Sequence, residues 1–579
     1  MLGGEIIARM LKEEGVEKVF GIIDGTYFGF YATLRNYGIE LITPRHETTA
    51  AHMAGAYARL TGKLGVCMAS NGPGVANILP GITVENAEGN RVLIITSKRR
   101  PQITDPDRGG AYQIFEQSAT IKHISKWSET VAFPERIPEM MRMAFREVWK
   151  GRPGVVHLDV PETIMNSDTK EPVFWKPNQY RNLKPVYPDP EQVKKAAKLL
   201  IESKIPMIQA GTGVIHAGAS AELEELADLI KAPVMTSMGG RTSISERSRY
   251  SVPVPQVVVS MNVRTTADVA LVLGSRIGET DWWGKPIYWK APFEQKTIQV
   301  DIDESMLGIN KPMELGIVAD IKTFLRQLID EIKKDAGKMN IDERDKLIDS
   351  YNAMKTMFNN EMWEKLKDES VPMLTAHVPV ICRETFNDDA ICVVDGGNTA
   401  VWANFYQDFP VPNTMMTTFK FGMLGAGVAH TLGASAAFPG RQVYCIIGDG
   451  AMGFHPQEIE TAVRNGMKPV YIVVADRQWG MVKLTQELAL DAERTTRDRK
   501  LPDDELINTD LKEIEWDKLA ESMGAFGARA QTPDELKKAL KDAIASDKCA
   551  VIYVSVDPVE HKWPPGIMAF KEMHNEPQG

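Results

Sequence analysis

Short runs of apolar residues recur along the chain and alternate with longer stretches in which apolar residues return every three or four positions. In the first third the runs include VFGII, LGVCMAS, RVLIITS and GVVHLDV, and similar runs return in the last third as AICVV, VYCIIG, PVYIVVA and CAVIYVSV. Such runs, separated by helical stretches, indicate parallel strands that are buried on both faces. The pattern therefore predicts an α/β protein with doubly wound, mainly parallel sheets.

The alternation of strands and helices is interrupted twice. Around residue 166 it gives way to a segment rich in proline, charged and aromatic residues, which is typical of a surface linker. A charged helical stretch, roughly residues 322–367, precedes the last group of strands. We therefore predict three such α/β domains and a tail that can fold over the site as a lid: an N-terminal domain at 1–168, a middle Rossmann-like domain at 188–335, a C-terminal domain at 368–558 and the tail at 559–579.

Length, charge and cysteine content narrow the function classes. The chain has 579 residues, which exceeds the roughly 250–300 residues that one hydrophobic core supports. Its formal net charge of −10 gives no support to nucleic-acid binding, for which a basic surface is expected. No apolar stretch approaches the roughly 18–20 residues that cross a bilayer. The five cysteines are typical of reduced core residues, so we expect a cytoplasmic protein that binds neither nucleic acid nor membrane.

Two acidic residues stand where neighbouring strands of the C-terminal domain are predicted to end. Asp449 lies between Gly448 and Gly450 after one strand, and Asp476 follows the next strand, with a helix predicted to begin near Pro456 between them. Open α/β sheets bind ligands at the carboxyl ends of their strands. Two carboxylates and a backbone carbonyl suit Mg²⁺, which completes its shell with phosphate oxygens. The alternative interpretation is a glycine turn with a capping aspartate.

The stretch from Gly448 to Asp476 resembles the cofactor-anchoring motif of thiamine-diphosphate-dependent enzymes, in which Gly-Asp-Gly precedes a pair usually written Asn-Asn. The resemblance implies thiamine diphosphate and Mg²⁺ as cofactors, with the metal held by Asp449, Asp476 and the carbonyl of Gln478. The chain departs from the pattern at Ala475 and Asp476, and the added negative charge beside the diphosphate can change metal affinity. In this stretch the resemblance assigns cofactor binding to Gly448, Gly450, Ala451, Met452 and Met481.

The N-terminal domain is expected to supply the second half of the site. The segment LITPRHETTAAHMAGAYARLTGKLGVCMASNGPG has the order of strand, Glu47, helix, strand and glycine turn that this family uses. The resemblance implies that Glu47 is the catalytic carboxylate for the aminopyrimidine ring and that Gly72 and Gly74 bind the cofactor. A glutamate in a first helical turn is also favoured by the helix dipole alone. In relatives the two halves meet across a subunit interface, which implies a homodimer or homotetramer.

Two further segments are assigned by the resemblance. Gly397, Asn398 and Thr399 follow the strand AICVV and are expected at the diphosphate. Met423 and Leu424 are expected at the pyrimidine ring. A large apolar residue such as Leu424 is equally typical of an ordinary core.

Within the family, the sequence most resembles those of acetolactate synthases, for example in the segments GRPGVVHLDVP and QVDIDES. The substrate-facing parts differ, because IDGTY stands where those enzymes usually have Pro-Gly-Gly and the usual Gln-Trp after Gly-Met-Val is missing. FEQ at 115–117 resembles a pair in 2-hydroxyacyl-CoA lyases, oxalyl-CoA decarboxylases and benzaldehyde lyase. Gln113, just before it, is expected to face the reacting carbon, although a glutamine in a surface loop is an equal alternative.

The expected activity is that of a thiamine-diphosphate- and Mg²⁺-dependent carboligase or lyase. It would act on a small carbonyl substrate, a 2-oxo acid or 2-hydroxy ketone, through a C2 carbanion and an enamine. Within the family, a 2-hydroxyacyl-CoA lyase or an oxalyl-CoA decarboxylase-like lyase is the alternative. A non-catalytic subunit of the same fold is a further alternative, against which the presence of Glu47, Asp449 and Asp476 argues.

The middle domain carries AGTGVIHAGA between a strand and a helix. This loosely matches a dinucleotide fingerprint, but the third glycine comes late and no acidic strand end follows about 20 residues on. Binding of FAD or ADP by this domain is therefore possible but not favoured. A dinucleotide-binding oxidoreductase is an alternative function from another class. His46, His52 and His123 are expected to be structural or solvent-facing, and the sequence indicates no histidine–cysteine metal cluster.

Overall fold

The computed structural model describes residues 1–575 and residue 577, and it contains three six-stranded sheets. All paired strands in these sheets are parallel. Alternate residues of one strand reach different cores: Val66 and Met68 pack on one face of the first sheet, Cys67 and Ala69 on the other. Strands buried on both faces need apolar side chains throughout. The predicted α/β, doubly wound architecture is confirmed.

The N-terminal sheet has the order β2-β1-β3-β4-β6-β5. Its strands are β1 (Lys18–Gly21), β2 (Glu40–Ile42), β3 (Gly65–Ala69), β4 (Val92–Lys98), β5 (Trp127–Thr130) and β6 (Val155–Pro161). Its helices are α1 (Gly3–Glu13), α2 (Phe28–Tyr31), α3 (Glu47–Thr61), α4 (Pro73–Glu88), α5 (Pro101–Thr104), α6 (Gln117–Lys122), α7 (Ile137–Trp149) and α8 (Glu162–Met165).

The middle sheet has the order β12-β11-β10-β7-β8-β9. Its strands are β7 (Pro206–Ala210), β8 (Val234–Thr236), β9 (Ser251–Val252), β10 (Val269–Leu273), β11 (Lys296–Asp301) and β12 (Leu315–Val318). The associated helices are α9 (Pro190–Glu202), α10 (Thr212–His216), α11 (Ser220–Ile230), α12 (Val257–Thr266), α13 (Ile321–Lys334) and α14 (Ile341–Trp363). The last two form the charged helical stretch predicted before the C-terminal domain.

The C-terminal sheet has the order β14-β13-β15-β16-β18-β17. Its strands are β13 (Ile391–Asp395), β14 (Met415–Met416), β15 (Val443–Gly448), β16 (Val470–Ala475), β17 (Phe526–Ala530) and β18 (Ala550–Ser555). Its helices, including those of the tail, are α15 (His377–Thr385), α16 (Asn398–Tyr406), α17 (Ala426–Ala437), α18 (Asp449–Met452), α19 (Glu458–Arg464), α20 (Gly480–Asp498), α21 (Trp516–Ser522), α22 (Pro533–Ala545), α23 (Pro558–His561) and α24 (Ile567–Glu572).

The N-terminal and C-terminal sheets share one topology. Numbered within its own domain, each runs second, first, third, fourth, sixth, fifth. The two domains also share a hydrophobic core in which α3 packs against α17. The carboxyl ends of their strands are the edges at which the candidate site residues lie.

The connection after β15 differs from the predicted helix beginning near Pro456. Asp449 itself opens the short α18, and α19 begins only at Glu458. Around Pro456, the N–H of Glu458 donates to the carbonyl of His455 at 3.2 Å, and that of Ile459 to the carbonyl of Pro456 at 3.2 Å. These bonds close three-residue turns rather than α-helical ones, so the α-helix starts later.

The tail after the last strand contains two short helices, α23 and α24. Part of the tail predicted as a lid, residues 576, 578 and 579, lies outside the described residues. Among the helices of residues 1–575, none is both long and apolar enough to cross a membrane.

Candidate active site

The two predicted metal ligands of the C-terminal domain lie at one edge of its sheet. Asp449 follows β15 and Asp476 follows β16, and these strands are neighbours, with Gly448 paired to Val474. Because both strands are parallel and end at the same level, the two carboxylates come together although they are far apart in sequence. Asp449 is 7% exposed and Asp476 is 6% exposed.

Hydrogen bonds fix the Asp449 carboxylate. Its Oδ1 accepts the N–H of Gly450 at 2.8 Å and its Oδ2 accepts the N–H of Arg477 at 3.0 Å. Burial raises the pKa of Asp449, and the neighbouring Asp476 carboxylate raises it further. Burial also raises the pKa of Asp476. Two adjacent buried carboxylates of this kind supply oxygen donors of the type that a divalent cation prefers.

Several buried polar atoms at this edge have no hydrogen-bond partner among the described residues: Oδ2 of Asp476 and both amide atoms of Asn398. Asn398 is the first residue of α16. A Cβ on Gly480 would lie 2.7 Å from Asp476 Oδ2 and 2.9 Å from Asn398 Nδ2, so a glycine is needed where these groups converge. Unsatisfied buried donors and acceptors are costly. The residues present therefore fit a bound diphosphate and Mg²⁺.

Glycines shape the rest of this half of the site. A Cβ on Gly448 would lie 3.1 Å from Thr399 Oγ1, and a Cβ on Gly397 would lie 2.9 Å from Cβ of Met481. Thr399, like Asn398, lies in the first turn of α16, where backbone N–H groups attract anions. The predicted diphosphate residues are thus close-packed neighbours.

Of the remaining predicted residues after β15 and β16, some lie in the hydrophobic core and others pack at the edge of the candidate site. Ala451 and Met452 are buried in α18 and belong to the shared hydrophobic core. A Cβ on Gly450 would lie 2.8 Å from the ring of Trp479. Gln478 is 6% exposed and its side chain donates to the carbonyl of Pro558 at 2.6 Å, which ties the metal edge to the tail.

His561 is a residue of this edge that the sequence did not identify. It ends α23, and its Nε2 lies 3.4 Å from Thr399 Oγ1 and 3.8 Å from Asp476 Oδ2. Thr375 Oγ1 lies 2.7 Å from its other ring nitrogen, and burial lowers the pKa of His561 to about 3. The tail therefore places a neutral imidazole against the candidate site. No motif spacing links position 561 to the Gly-Asp-Gly motif, so only the fold shows this contact.

In the N-terminal domain, Glu47 is the first residue of α3 and is half-buried. Its Oε2 accepts the side-chain amide of Asn77 on α4 at 3.0 Å. Gly74 lies beside it, since a Cβ there would be 3.4 Å from Glu47 Oε1. Glu47 therefore lies at the carboxyl edge of the N-terminal sheet, next to the predicted glycine turn.

That turn and Gln113 are in contact. A Cβ on Gly72 would lie 2.7 Å from Cβ of Gln113, and the Gln113 carbonyl accepts the side-chain amide of Asn71 at 3.2 Å. Gln113 has a φ of 55°, a left-handed conformation that is uncommon for a residue with a side chain. The described contacts show how its backbone is held and leave its role toward a substrate as a prediction.

A buried network behind the turn was missed by the sequence interpretation. Gln117 donates to the carbonyl of Ser97 at 2.8 Å and to Asp159 Oδ1 at 2.6 Å, and it is 4% exposed. Thr96 and Ser118 also donate to Asp159, at 2.7 and 2.8 Å. Burial raises the pKa of Asp159 to about 6. Gln117 was read only as part of FEQ, and nothing in the spacing connects it to Asp159.

Met423 and Leu424 lie before α17 and are half-buried. Thr418 Oγ1 donates to the carbonyl of Met423 at 3.2 Å, and Leu424 packs on the shared core. Gly425 follows with a φ of 85°. Leu424 therefore packs as a core residue, and its contact with the pyrimidine ring stays a prediction.

The segment before Glu47 contacts the C-terminal domain of the same chain. The N–H of Arg45 lies 3.1 Å from both carboxylate oxygens of Glu458, and Arg464 donates to the carbonyl of Thr43 at 2.7 Å. Both partners in the C-terminal domain belong to α19. The N-terminal domain is therefore fixed against the C-terminal domain close to its candidate catalytic carboxylate.

The glycines of the middle-domain loop serve close packing. A Cβ on Gly211 would lie 2.2 Å from the carbonyl oxygen of Gly274, and one on Gly213 would lie 2.7 Å from Cα of Gly274. The loop after β7 therefore needs glycine in order to pass the loop after β10. Close packing accounts for both of these glycines.

Comparison with family models gives three matches in chain order. The N-terminal TPP binding domain of thiamine pyrophosphate enzymes matches residues 1–120, the central domain matches 193–328, and the C-terminal TPP binding domain matches 395–554. The last of these contains both Asp449 and Asp476.

The chain is also similar to acetolactate synthase large subunits over almost its whole length. It is 30% identical to the probable acetolactate synthase large subunit of Methanocaldococcus jannaschii, over 97% of this chain and 93% of that relative. It is 28% identical to the acetolactate synthase large subunit of Haemophilus influenzae, over 97% and 96%. It is 26% identical to the acetolactate synthase isozyme 3 large subunit of Escherichia coli, again over 97% and 96%.

Proposed function

This chain belongs to the thiamine pyrophosphate enzyme family, and from that membership we propose that it is a thiamine-diphosphate- and Mg²⁺-dependent carboligase that joins or cleaves carbon–carbon bonds of a 2-oxo acid or 2-hydroxy ketone. Its similarity to acetolactate synthases makes pyruvate the first donor substrate to test. Cytoplasmic location remains part of the same proposal.

The observation that carries the proposal is the convergence of Asp449, Asp476 and Asn398 at one edge of the C-terminal sheet. Asp476 Oδ2 and the Asn398 amide are buried and, within residues 1–575, have no hydrogen-bond partner. A metal diphosphate would satisfy these groups. We assign Asp449, Asp476 and the carbonyl of Gln478 to Mg²⁺.

The diphosphate itself would contact Gly397, Thr399 and the start of α16, whose N–H groups face an anion favourably. Bound thiamine diphosphate supplies a nucleophilic C2 carbon and an electron sink. The protein's part is to orient the cofactor and to control protons. The neutral His561 would support this end of the site by contact with Thr399.

Glu47 is assigned the acid–base role. Its carboxylate would hydrogen-bond the ring nitrogen of the aminopyrimidine and hold the proton at that atom. Asn77 orients the carboxylate through the 3.0 Å contact, and Gly74 leaves space beside it. We propose that this half-site meets the metal half-site of a second copy, so that a homodimer or homotetramer is the active form.

The first experiment is incubation of the purified protein with thiamine diphosphate, Mg²⁺ and pyruvate, with carbon dioxide and products followed by NMR. Carbon dioxide together with acetolactate supports the proposal. If neither forms although the cofactor is bound, the carboligase activity on pyruvate is refuted, and cleavage of acyloins and 2-hydroxyacyl-CoA thioesters is measured next.

Two controls test the dependence of the activity on Mg²⁺ and the oligomeric state of the active protein. Omission of Mg²⁺ after treatment with a chelator should abolish turnover and its return should restore it. Sedimentation of the active protein should give a dimer or tetramer, and an active monomer would contradict the shared site.

A further inference from the structure

Three ionisable side chains meet in the interior where the N-terminal and C-terminal domains pack. They are His52 on α3, Glu85 on α4 and His430 on α17, and each is at most 1% exposed. One ligand atom from each residue lies within 4.8 Å of the others. The sequence indicated no histidine–cysteine metal cluster, and its spacing gave no sign of this histidine–glutamate group, which the fold assembles. None of the three belongs to the candidate active site.

The contacts within this cluster converge on one atom. His52 Nδ1 lies 2.6 Å and His430 Nε2 lies 2.8 Å from the same oxygen, Oε1 of Glu85. The other oxygen, Oε2, accepts the side-chain amide of Asn90 at 2.6 Å. The two imidazole rings meet edge to face, at 77°. Two nitrogens and one carboxylate oxygen thus face a single small volume, while Asn90 orients the carboxylate from behind.

The surrounding helices are shaped to admit the carboxylate. A Cβ on Gly55 of α3 would lie 1.8 Å from Glu85 Oε2. Any larger residue at position 55 would therefore exclude Glu85 from its place. Charged side chains such as that of Glu85 are seldom fully buried unless they are paired or coordinate a metal.

Hydrogen bonding within the cluster is incomplete. Nε2 of His52 and Nδ1 of His430 are buried and lack a hydrogen-bond partner in the described part of the chain. With protons as the only bridges, each ring gains one hydrogen bond to a shared oxygen and leaves its second nitrogen unsatisfied. A metal ion would instead bond to the two nitrogens that face Glu85, and the outer nitrogens, Nε2 of His52 and Nδ1 of His430, would then carry the ring protons.

From this arrangement we propose that His52, Glu85 and His430 bind one divalent transition-metal ion, with Zn²⁺ the expected occupant. Two imidazoles and one carboxylate form a donor set that zinc uses, with water as a fourth ligand. Mg²⁺ prefers oxygen ligands, so this site and the cofactor's metal site select different ions. The ion would cross-link α17 of the C-terminal domain to α3 and α4 of the N-terminal domain.

Binding requires a small expansion of the cluster. Ligands at about 2.0–2.1 Å around a tetrahedral ion are roughly 3.3 Å apart, whereas the present contacts to Glu85 are 2.6 and 2.8 Å. The ion would replace the bridging protons and move each ring and the carboxylate apart by roughly 0.5–0.7 Å. Because the cluster is buried, the ion would enter as the two domains pack, so the metal is best supplied during expression.

The test is the metal content of the full-length protein expressed in zinc-supplemented medium and purified without chelator. We expect one zinc per chain in the wild type and less than a tenth of that in Glu85→Gln and in His430→Gln. His157→Gln is the matched control, since His157 is equally buried but hydrogen-bonds the hydroxyls of Thr96 and Ser128 instead of a carboxylate, and this variant should keep its zinc. A zinc-free wild type, or equal zinc in the cluster variants, overturns the proposal.

A second measurement covers variants that fail to fold. Wild-type protein expressed with Co²⁺ should show the visible absorption of a four-coordinate nitrogen and oxygen site, and colourless protein without cobalt contradicts the assignment. In that case the three residues are a proton-bridged contact between domains. Neither readout uses thiamine diphosphate or turnover, so the outcome is independent of the proposed function.

Discussion

The N-terminal and C-terminal domains have the same strand order but carry different chemistry at the same edge. In the C-terminal sheet the third and fourth strands, β15 and β16, are followed by the buried carboxylates Asp449 and Asp476. In the N-terminal sheet the corresponding strands, β3 and β4, lead into the Gly72 turn and to Lys98, and the carboxylate Glu47 comes from the start of α3.

This difference separates what a topology supplies from what its residues supply. Doubly wound sheets offer a ligand-binding edge wherever strand ends meet helix starts. The side chains placed there decide whether that edge binds a metal diphosphate or a ring that exchanges a proton. We expect variants of the two domains to fail in different ways.

The largest effect is expected for Glu47→Gln in the N-terminal domain. Turnover should fall at least ~100-fold, because a positioned acid–base group contributes at least that much. Binding of thiamine diphosphate, followed by tryptophan fluorescence, should change little, since the metal half-site is intact. Unchanged turnover would remove Glu47 from the catalytic role, and Glu40→Gln, an exposed residue of the same domain, is the control.

Asp449→Ala should weaken cofactor and metal binding at the half-site of the C-terminal domain. The half-saturating concentrations of Mg²⁺ and thiamine diphosphate should each rise at least about tenfold, because loss of a direct ligand costs at least as much as loss of a supporting residue. The measurement is a titration of activity with each cofactor. Asp388→Ala, an exposed residue of the same domain, should leave both values unaltered, and equal values in the two variants would refute the metal role.

A smaller effect is expected when space rather than charge is changed. Gly480→Ala would place a Cβ 2.7 Å from Asp476 Oδ2 and 2.9 Å from Asn398 Nδ2. A displacement costing about 1.4 kcal/mol raises the cofactor half-saturation about tenfold. Gly337→Ala is the matched control, since a Cβ there would have no atom of the described residues within 4 Å. Wild-type affinity in Gly480→Ala would show that these two side chains do not contact the cofactor.

The smallest effect concerns the buried network of the N-terminal domain and depends on pH. Burial raises the pKa of Asp159 from 3.8 to about 6, so its contribution to stability is present below pH 3.8 and is lost as the pH rises through about 6. Asparagine cannot ionise. The melting temperature of Asp159→Asn minus that of the wild type should therefore be about 2–4 °C higher at pH 7 than at pH 4. A difference that stays constant with pH would contradict the assignment.

Much of the fold and part of the site could be read from particular residues. The apolar runs that form β15 and β16 predicted Asp449 and Asp476 at strand ends. The sequence segment before α3 predicted Glu47 at the start of a helix. Those predictions depend on local pattern and on a motif. The helix expected near Pro456 began later, because the turn chemistry around His455 was not recognised.

Contacts between distant segments could not be predicted in this way. His561 reaches Thr399 and Asp476 only because the tail packs back on the C-terminal sheet. Gln117 and Asp159 meet only because α6 lies over the end of β6. The positions of two residues in the sequence do not predict such a contact unless the topology of the fold is known.

The sequence by itself determined the α/β class, the two acidic strand ends, the helix-start glutamate and the family, because these follow from local periodicity, glycine placement and motif spacing. The tertiary structure alone decided which buried groups lack partners, how the tail supports the metal edge, and that His52, Glu85 and His430 share one interior volume. The reason is physical: burial and convergence depend on how helices and sheets pack together, and residues hundreds of positions apart acquire a common environment only after that packing has formed.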